Sequence, residues 1–370
     1  ERSCVLEQSR HTTITIGAIE KHITDTAWAN GWVKGPSPRK ERDQSVGIIG
    51  AGPAGLAAAD KLRSMGYQAH IYDRHDRAGG LLIYGIPNFK LEKDIVTRRT
   101  QLLADSGVTF HQNFEVGRNA SFAELRQKHS AVLIATGVYK ARELQAPGSG
   151  LNGIHAALDF LITANRVGLG DTVEAFEDGT LNASGKNVVV IGGGDTAMDC
   201  VRSAIRQGAK SVKCLYRRNR RNMPGSLREV TNAEEEGVEF IWRAAPESFL
   251  GNSTVSGVRA HRMRLGQSDA SGRQSPEPIE DSSFTLESEM VIKALGFDPE
   301  DLPTLFDETE LPLSRWGTVE VDETTNMSAL AGVFAAGDIV RGASLVVWGI
   351  LDGRVAAEAI HNYIQSDVER

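Results

Sequence analysis

The sequence predicts an α/β fold with two parallel sheets, each covered by helices. An apolar strand, a glycine-rich turn, a helix and a second strand follow one another at residues 45–73 and again at 186–216. Three further apolar runs, at 131–135, 290–294 and 333–336, each end close to a glycine and supply more buried strands. A chain of 370 residues is long enough for two domains with separate cores.

The first unit has the order that a parallel strand pair requires. Ser45–Ile49 is typical of a buried strand, Leu56–Met65 of a helix that ends at Gly66, and Tyr67–Asp73 of the next strand. The two strands are therefore expected to be parallel and joined by a right-handed crossover.

The turn of this unit carries the pattern Gly-x-Gly-x-x-Gly. Gly50 permits a tight turn, Gly52 lets the backbone approach a pyrophosphate, and Gly55 allows the helix to pack closely on the strand. The amides at the helix N-terminus favour phosphate. Asp73 ends the second strand, where a carboxylate can accept hydrogen bonds from ribose hydroxyls; the alternative is that it is a surface turn residue.

The second unit repeats this arrangement with a different strand end. Its turn has Gly192, Gly194 and Ala197, and alanine is an accepted third residue of the pattern. Arg217 and Arg218 stand where the first unit has Asp73, and guanidinium groups suit a 2′-phosphate, so NADPH fits better than NADH. The alternative is a solvated charge run, because Arg220 and Arg221 follow directly.

Composition excludes several classes of protein. A net charge of −7 argues against a general nucleic-acid binder. No apolar run approaches the length of a membrane span, and the first residues lack a signal-peptide core, so the chain is expected to be cytoplasmic and not membrane-bound. The cysteines Cys4, Cys200 and Cys214 form no Cys-x-x-Cys pair, which argues against dithiol redox chemistry. The nine histidines show no zinc-ligand spacing, and we expect no metal site.

Motifs along nearly the whole chain resemble those of the small, NADPH-oxidising subunit of bacterial glutamate synthase. They are Gly-Ala-Gly-Pro-Ala-Gly (50–55), Asp-Arg-His (73–75), Gly-Gly-Leu-Leu (79–82), Tyr-Gly-Ile-Pro-Asn-Phe-Lys-Leu (84–91), Ala-Thr-Gly (135–137), Gly-Gly-Gly-Asp-Thr-Ala-Met-Asp-Cys (192–200), Tyr-Arg-Arg (216–218), Asn-Met-Pro-Gly-Ser (222–226), Ala-Ala-Gly-Asp (335–338) and Val-Val-Trp-Gly-Ile-Leu-Asp-Gly-Arg (346–354).

The resemblance implies two Rossmann-like dinucleotide-binding domains, with the NADPH domain inserted into a discontinuous FAD domain. The expected limits are 1–43 for a leader and linker with a helix around Ile19–Trp28, 44–145 with 325–370 for the FAD domain, and 146–324 for the NADPH domain. It implies hydride transfer from NADPH to FAD, with electrons passed through iron-sulfur clusters to a large subunit that makes glutamate from glutamine and 2-oxoglutarate.

The resemblance also implies which residues contact each cofactor. For FAD these are Gly50, Ala51, Gly52, Pro53, Ala54, Gly55, Asp73, Arg74, Gly80, Leu81, Thr136, Gly137, Gly337, Asp338, Val346 and Val347. For NADPH they are Gly192, Gly193, Gly194, Asp195, Thr196, Ala197, Arg217, Arg218 and Gly296. A helix that begins near Leu345 would point its amides at the flavin. No catalytic side chain is assigned, because hydride transfer needs orientation rather than a protein acid or base.

The departure from the family lies at the start of the chain. The family carries a cysteine-rich region with two iron-sulfur clusters there, and Cys4 resembles its last cysteine. One thiolate cannot hold a cluster, so we expect clusters only in a full-length protein, of which this sequence looks like a truncated form. Cys200 and Cys214 are expected to be small buried hydrophobic residues.

Two other functions stay open on the sequence. Related domains occur in NADPH-dependent ferredoxin reductases and in dihydropyrimidine-dehydrogenase-like flavoproteins, so the acceptor could differ. A non-catalytic assembly scaffold could also retain two nucleotide folds, in which case the purified chain would fail to retain flavin.

Overall fold

The computed structural model describes residues 14–268 and 274–368. The helices are α1 Ile16–Ala29, α2 Pro53–Ser64, α3 Leu81–Tyr84, α4 Lys93–Asp105, α5 Phe122–Lys128, α6 Ala157–Gly168, α7 Glu174–Glu177, α8 Asp195–Arg206, α9 Leu227–Glu235, α10 Leu302–Phe306, α11 Asp338–Arg341 and α12 Val346–Val368. The strands are β1 Ser45–Ile49, β2 Gln68–Tyr72, β3 Thr109–His111, β4 Ala131–Ile134, β5 Lys140–Ala141, β6 Ile154–Ala156, β7 Asn187–Ile191, β8 Ser211–Tyr216, β9 Glu239–Trp242, β10 Ala244–Gly251, β11 Val255–Ser268, β12 Gln274–Pro278, β13 Phe284–Glu287, β14 Met290–Lys293, β15 Phe297–Asp298 and β16 Val333–Ala335.

The first sheet joins both ends of the chain. Its strand order is β16-β4-β1-β2-β3, and every pair is parallel. Helices α2 and α12 cover one face, where Leu62 and Ile360 are fully buried. Phe122 and Phe306 stack on the other face with ring centroids 5.0 Å apart. Because β16 pairs with β4, this domain is discontinuous, as the sequence predicts.

The second sheet has the order β6-β14-β7-β8-β9 and is also parallel throughout. Helices α6, α8 and α9 pack on one face around Phe160 and Met198. An antiparallel sheet of β10 to β13 covers the other face, where Phe249 and Val258 are buried. The sequence pattern does not predict this antiparallel sheet.

Local boundaries follow the predicted pattern closely. Strand β1 has the predicted bounds and β8 ends at the predicted residue 216, whereas α2 begins at Pro53, three residues before the predicted Leu56. Proline is favoured there because the first turn of a helix leaves its N–H groups unpaired and the ring fixes φ near the helical value. The predicted helix around Ile19–Trp28 lies within α1.

The predicted domain boundaries can be compared with the contacts that each segment makes. Strands β5 and β15 pair antiparallel, so the two crossings between the domains lie side by side. Leu302, Phe306 and Val319 belong to the core cluster of the first domain. This packing supports an inserted domain that ends before residue 302 rather than at 324.

The N-terminal leader contacts the first domain. Helix α1 rests on α4, where the Arg98 guanidinium lies 4.6 Å from the Trp28 ring centroid. Cys4 lies outside the described residues.

No helix in the described part of the chain combines the length and hydropathy needed to cross a bilayer.

Candidate functional site: two glycine turns that face each other

The turn after β1 leaves no room for side chains at two of its glycines. Gly50 has φ of 109°, and a Cβ there would lie 2.3 Å from the Ala135 carbonyl oxygen. A Cβ on Gly55 would lie 2.0 Å from the Gly50 carbonyl oxygen. Nothing lies within 4 Å of the position where Gly52 would carry a Cβ, so its backbone borders open space. This geometry is typical of a turn that admits a pyrophosphate.

Asp73 is held against this turn by backbone amides. Its Oδ2 atom accepts a hydrogen bond from the Ala51 N–H at 2.6 Å, and Oδ1 accepts one from the His75 N–H at 2.8 Å. The residue is buried, with 7% of its surface exposed. Each carboxylate oxygen retains a further lone pair, which can accept a hydrogen bond from a ligand hydroxyl.

Two cavities at the carboxyl ends of the first sheet form one trough. They enclose about 540 and 1260 Å³, both open to solvent, and share four lining residues: Gly50, Asp73, Thr136 and Tyr139. Ligands of open α/β sheets bind at this edge. The Thr136 hydroxyl oxygen is buried and has no hydrogen-bond partner among the described residues, so a ligand in the trough can satisfy it.

Most residues predicted to contact FAD line the trough. They are Gly50, Gly52, Pro53, Ala54, Asp73, Arg74, Leu81, Thr136, Gly137, Gly337, Asp338 and Val346. Ala51 and Gly55 lie behind the lining and shape the turn, and a Cβ on Gly80 would lie 2.8 Å from the Gly52 Cα. Val347 does not line the trough and is 62% exposed.

Asp338 and α12 close the far end of the trough. Burial raises the pKa of Asp338 to about 6, although the Ser344 backbone N–H donates to its carboxylate. Helix α12 begins at Val346, and Leu345 and Gly349 also line the cavity. The positive end of the helix dipole therefore borders the trough.

The turn after β7 repeats the first turn. Gly192 has φ of 151°, and a Cβ there would lie 2.2 Å from the Ala294 carbonyl oxygen. The turn opens into a cavity of about 1650 Å³, open to solvent. The predicted NADPH contacts that line it are Gly192, Gly193, Gly194, Thr196, Arg217, Arg218 and Gly296. Ala197 is fully buried, and Asp195 lines the trough of the first domain instead.

The structure separates the arginines that follow β8. Arg217 is exposed, and Arg218 has a buried Nε atom without a hydrogen-bond partner among the described residues. Arg220 instead donates to both carboxylate oxygens of Glu234 at 2.6 and 2.7 Å. Arg217 and Arg218 thus border the cavity, whereas Arg220 pairs with α9.

Thr196 lines both the trough and the cavity of the second domain. Asp195, beside it, accepts a hydrogen bond from the Ser226 N–H at 3.0 Å, which fixes the start of α8. The trough of the first domain and the cavity of the second domain therefore meet at the N-terminus of α8.

Cys200 and Cys214 are fully buried and free, as predicted. Burial raises the pKa of the Cys200 thiol well above its ordinary value and that of Cys214 to about 12. Such thiols are inert at neutral pH because only the thiolate reacts readily.

Sequence reasoning missed several residues that border the cavities. Burial raises the pKa of Tyr139, whose ring lies 4.9 Å from the Arg74 guanidinium carbon. Glu300 accepts a hydrogen bond from Arg74 at 2.8 Å, although 226 positions separate them. Lys90 and Asp199 line the trough from opposite domains. The family motifs contain Lys90 and Asp199, but their spacing gives no sign that they meet.

Comparisons with known proteins agree with this geometry. Residues 44–358 match the family model described as pyridine nucleotide-disulphide oxidoreductase. The chain is 67% identical over 369 residues to the glutamate synthase (NADPH) small chain of Azospirillum brasilense, covering 100% of this chain and 77% of that protein. It is 61% identical to the putative glutamate synthase (NADPH) small chain of Cereibacter sphaeroides, covering 98% of this chain and 87% of that protein.

The fold also resembles a solved structure, Mycobacterium tuberculosis FprA in complex with NADPH. The TM-score is 0.73 at 20% identity, and the match covers 89% of this chain and 86% of that one. At this identity the likeness concerns the fold.

Proposed function

Because the chain belongs to the pyridine nucleotide-disulphide oxidoreductases and, among them, to the glutamate synthase (NADPH) small chains, we propose that it delivers electrons from NADPH through FAD to a glutamate synthase large subunit. It is an NADPH-dependent FAD oxidoreductase, and FAD and NADPH are its cofactors.

The residues around the first turn fit FAD. The space beside Gly52 admits a pyrophosphate, and Asp73 offers lone pairs to a ribose. Thr136 lines the trough, and its hydroxyl has no hydrogen-bond partner among the described residues. When bound, FAD supplies two-electron uptake and stepwise one-electron release. The chain's own contribution is to hold the ring and to place the positive end of α12 beside the trough, which favours negative charge there.

The residues around the second turn fit NADPH. The turn from Gly192 to Ala197 offers helix N-terminal amides to a pyrophosphate. Arg217 and Arg218 offer charged donors to a 2′-phosphate, and the orphaned Nε atom of Arg218 supports this role.

The position of Thr196 carries the proposal. Hydride transfer between two separately bound dinucleotides requires that the nicotinamide ring and the flavin ring meet. Thr196 borders both the trough and the cavity of the second domain, which places the two sites side by side. A shared border lets the protein orient the hydride donor and the acceptor relative to each other.

The proposal also names the protein that accepts electrons from the flavin. The names of the two relatives support a glutamate synthase large subunit as partner. Iron-sulfur clusters between flavin and partner, which the sequence resemblance implies, complete the proposed route. The large subunit would use the electrons to form glutamate from glutamine and 2-oxoglutarate.

The experiment pairs the full-length protein with its large subunit. We expect NADPH oxidation to require glutamine and 2-oxoglutarate together and to yield glutamate. If NADPH oxidation instead depends on added ferredoxin and ignores the large subunit, the chain is a ferredoxin reductase and the proposed acceptor is wrong. If the protein cannot hold flavin, the scaffold alternative is correct.

A further inference from the structure

An ion pair joins the two domains beside the place where the cavities meet. Lys90 Nζ, in the segment between α3 and α4, lies 2.7 Å from Asp199 Oδ1 and 3.5 Å from Glu229 Oε2 of the second domain. The Lys90 side chain is 24% exposed, and those of Asp199 and Glu229 are 11% and 15% exposed. Lys90 is the cation between two carboxylates in this partly buried contact.

The preceding residue strengthens the same contact. The Phe89 ring lies 3.8 Å from the Arg206 guanidinium carbon and 4.7 Å from that of Arg202, both on α8. A guanidinium over an aromatic face is attractive, most of all where water is partly excluded. Phe89 and Lys90 therefore contact α8 along two of its turns.

The contacted residues are themselves fixed. Arg202 pairs with Glu229 at 2.6 Å and with Glu236 at 2.7 Å, and Arg206 pairs with Glu236 at 2.6 Å. These pairs join α8 to α9 and to the residue that follows it, so a displacement of α8 also strains its contacts with α9. A flexible surface ion pair would not transmit position in this way.

The location gives the contact its significance. Asp199 lies one helical turn after Asp195 and Thr196, and Lys90, Asp195 and Asp199 all line the trough. Any shift of Asp199 relative to Lys90 moves the helix start that separates the two cavities. When reacting groups are misplaced by about 1 Å, the reaction between them can slow about a hundredfold.

We propose that Phe89 and Lys90 form a clamp that sets the position of α8 against the flavin trough and so aligns the two cofactors for hydride transfer. This inference rests on the proposed function. Lys90 and Asp199 are positioning residues in it, since they act through the start of α8 and not on the reacting atoms.

The test separates alignment from binding by rapid reduction of the FAD-loaded protein with NADPH. We expect Lys90→Met and Asp199→Asn each to slow flavin reduction about tenfold or more, while the NADPH dissociation constant changes by less than about threefold. Lys90→Arg keeps the charge and should recover most of the rate. Lys61→Met is the matched control, because Lys61 pairs with Glu358 on the surface of the first domain at 3.0 Å.

A second measurement does not require NADPH. Hydrogen exchange of residues 84–93 and of α8 should be faster in Lys90→Met than in the wild type, because the clamp is released. Unchanged exchange, a wild-type reduction rate in Lys90→Met, a loss confined to NADPH affinity, or loss of FAD would each overturn the clamp. If NADPH fails to reduce the wild-type flavin, the proposed function fails, and the exchange measurement alone decides on the clamp.

Discussion

The carboxylate of Asp73 ties the end of β2 to the glycine turn after β1, because its Oδ2 atom accepts a hydrogen bond from the Ala51 N–H at 2.6 Å. One side chain thus fixes the shape of the turn and presents lone pairs to the trough.

Replacing Asp73 with Ala should weaken FAD binding. The variant loses charge-assisted hydrogen bonds to the turn and to the ligand, each worth about 1.5 to 3 kcal/mol, so the FAD dissociation constant should rise about ten- to a hundredfold. Equilibrium titration of the flavin-free protein measures it. Asp60→Asn on α2, which loses only a contact with Arg99 at 3.1 Å, is the control. Equal FAD affinity in Asp73→Ala and the wild type would contradict this role.

Replacing Gly50 with Ala should abolish flavin retention. The new Cβ would lie 2.3 Å from the Ala135 carbonyl oxygen, and φ of 109° is strained for any L side chain, so the turn must move. The ratio of FAD to protein after gel filtration measures the effect. Gly17→Ala in α1, where nothing lies within 4 Å, should leave that ratio unchanged. A fully loaded Gly50→Ala protein would show that the turn does not hold the pyrophosphate.

Replacing Arg217 and Arg218 together with Ala should raise the Michaelis constant for NADPH about tenfold or more and largely spare NADH, since only NADPH carries the 2′-phosphate. Steady-state kinetics with ferricyanide as acceptor measure both cofactors. Arg220→Ala is the control from the same segment, because Arg220 pairs with Glu234. Equal losses with NADPH and NADH would assign the two arginines another role.

His129, which follows α5 and packs against the first sheet, should make the stability of the protein depend on pH. His129 bonds with Ser45 and Tyr72 at 2.8 and 2.9 Å, and burial, followed by the charges of His70, Lys128 and His111, lowers its pKa to about 4. An unfolded histidine has a pKa near 6.5. Between these two values the unfolded state binds a proton that the folded state does not, so stability falls as pH falls from about 6.5 to 4.

Urea unfolding at several pH values tests this prediction. His129→Gln should show a shallower loss of unfolding free energy between about pH 6.5 and 4 than the wild type does. The exposed His22 lies on α1, and His22→Gln should keep the wild-type slope. A wild-type slope in His129→Gln would mean that this histidine does not cause the acid sensitivity.

Much of the site follows from local sequence. The glycine turns, the strands that precede them and Asp73 lie within short segments whose spacing reflects backbone geometry. The antiparallel sheet does not follow, because Pro246, Pro276 and Pro278 interrupt its strands β10 and β12, in which few residues are buried. Contacts such as Arg74 with Glu300 join distant segments of the chain and leave no periodic signal.

The same distinction applies to the interface between the domains. Lys90 and Asp199 are 109 positions apart, and only the packing of α8 against the segment before α4 brings them together. The segment 302–319 likewise packs on the first domain, although its sequence follows the last strand of the second. Such placements depend on tertiary contacts that outweigh local preference.

The most direct measurement of the central claim is an anaerobic titration of the purified, FAD-loaded chain with NADPH while the flavin absorbance is followed. If the two glycine turns hold NADPH and FAD next to each other beside Thr196, about one NADPH per FAD should bleach the flavin. A chain that cannot be loaded with FAD, or whose flavin stays oxidised with excess NADPH, would contradict it.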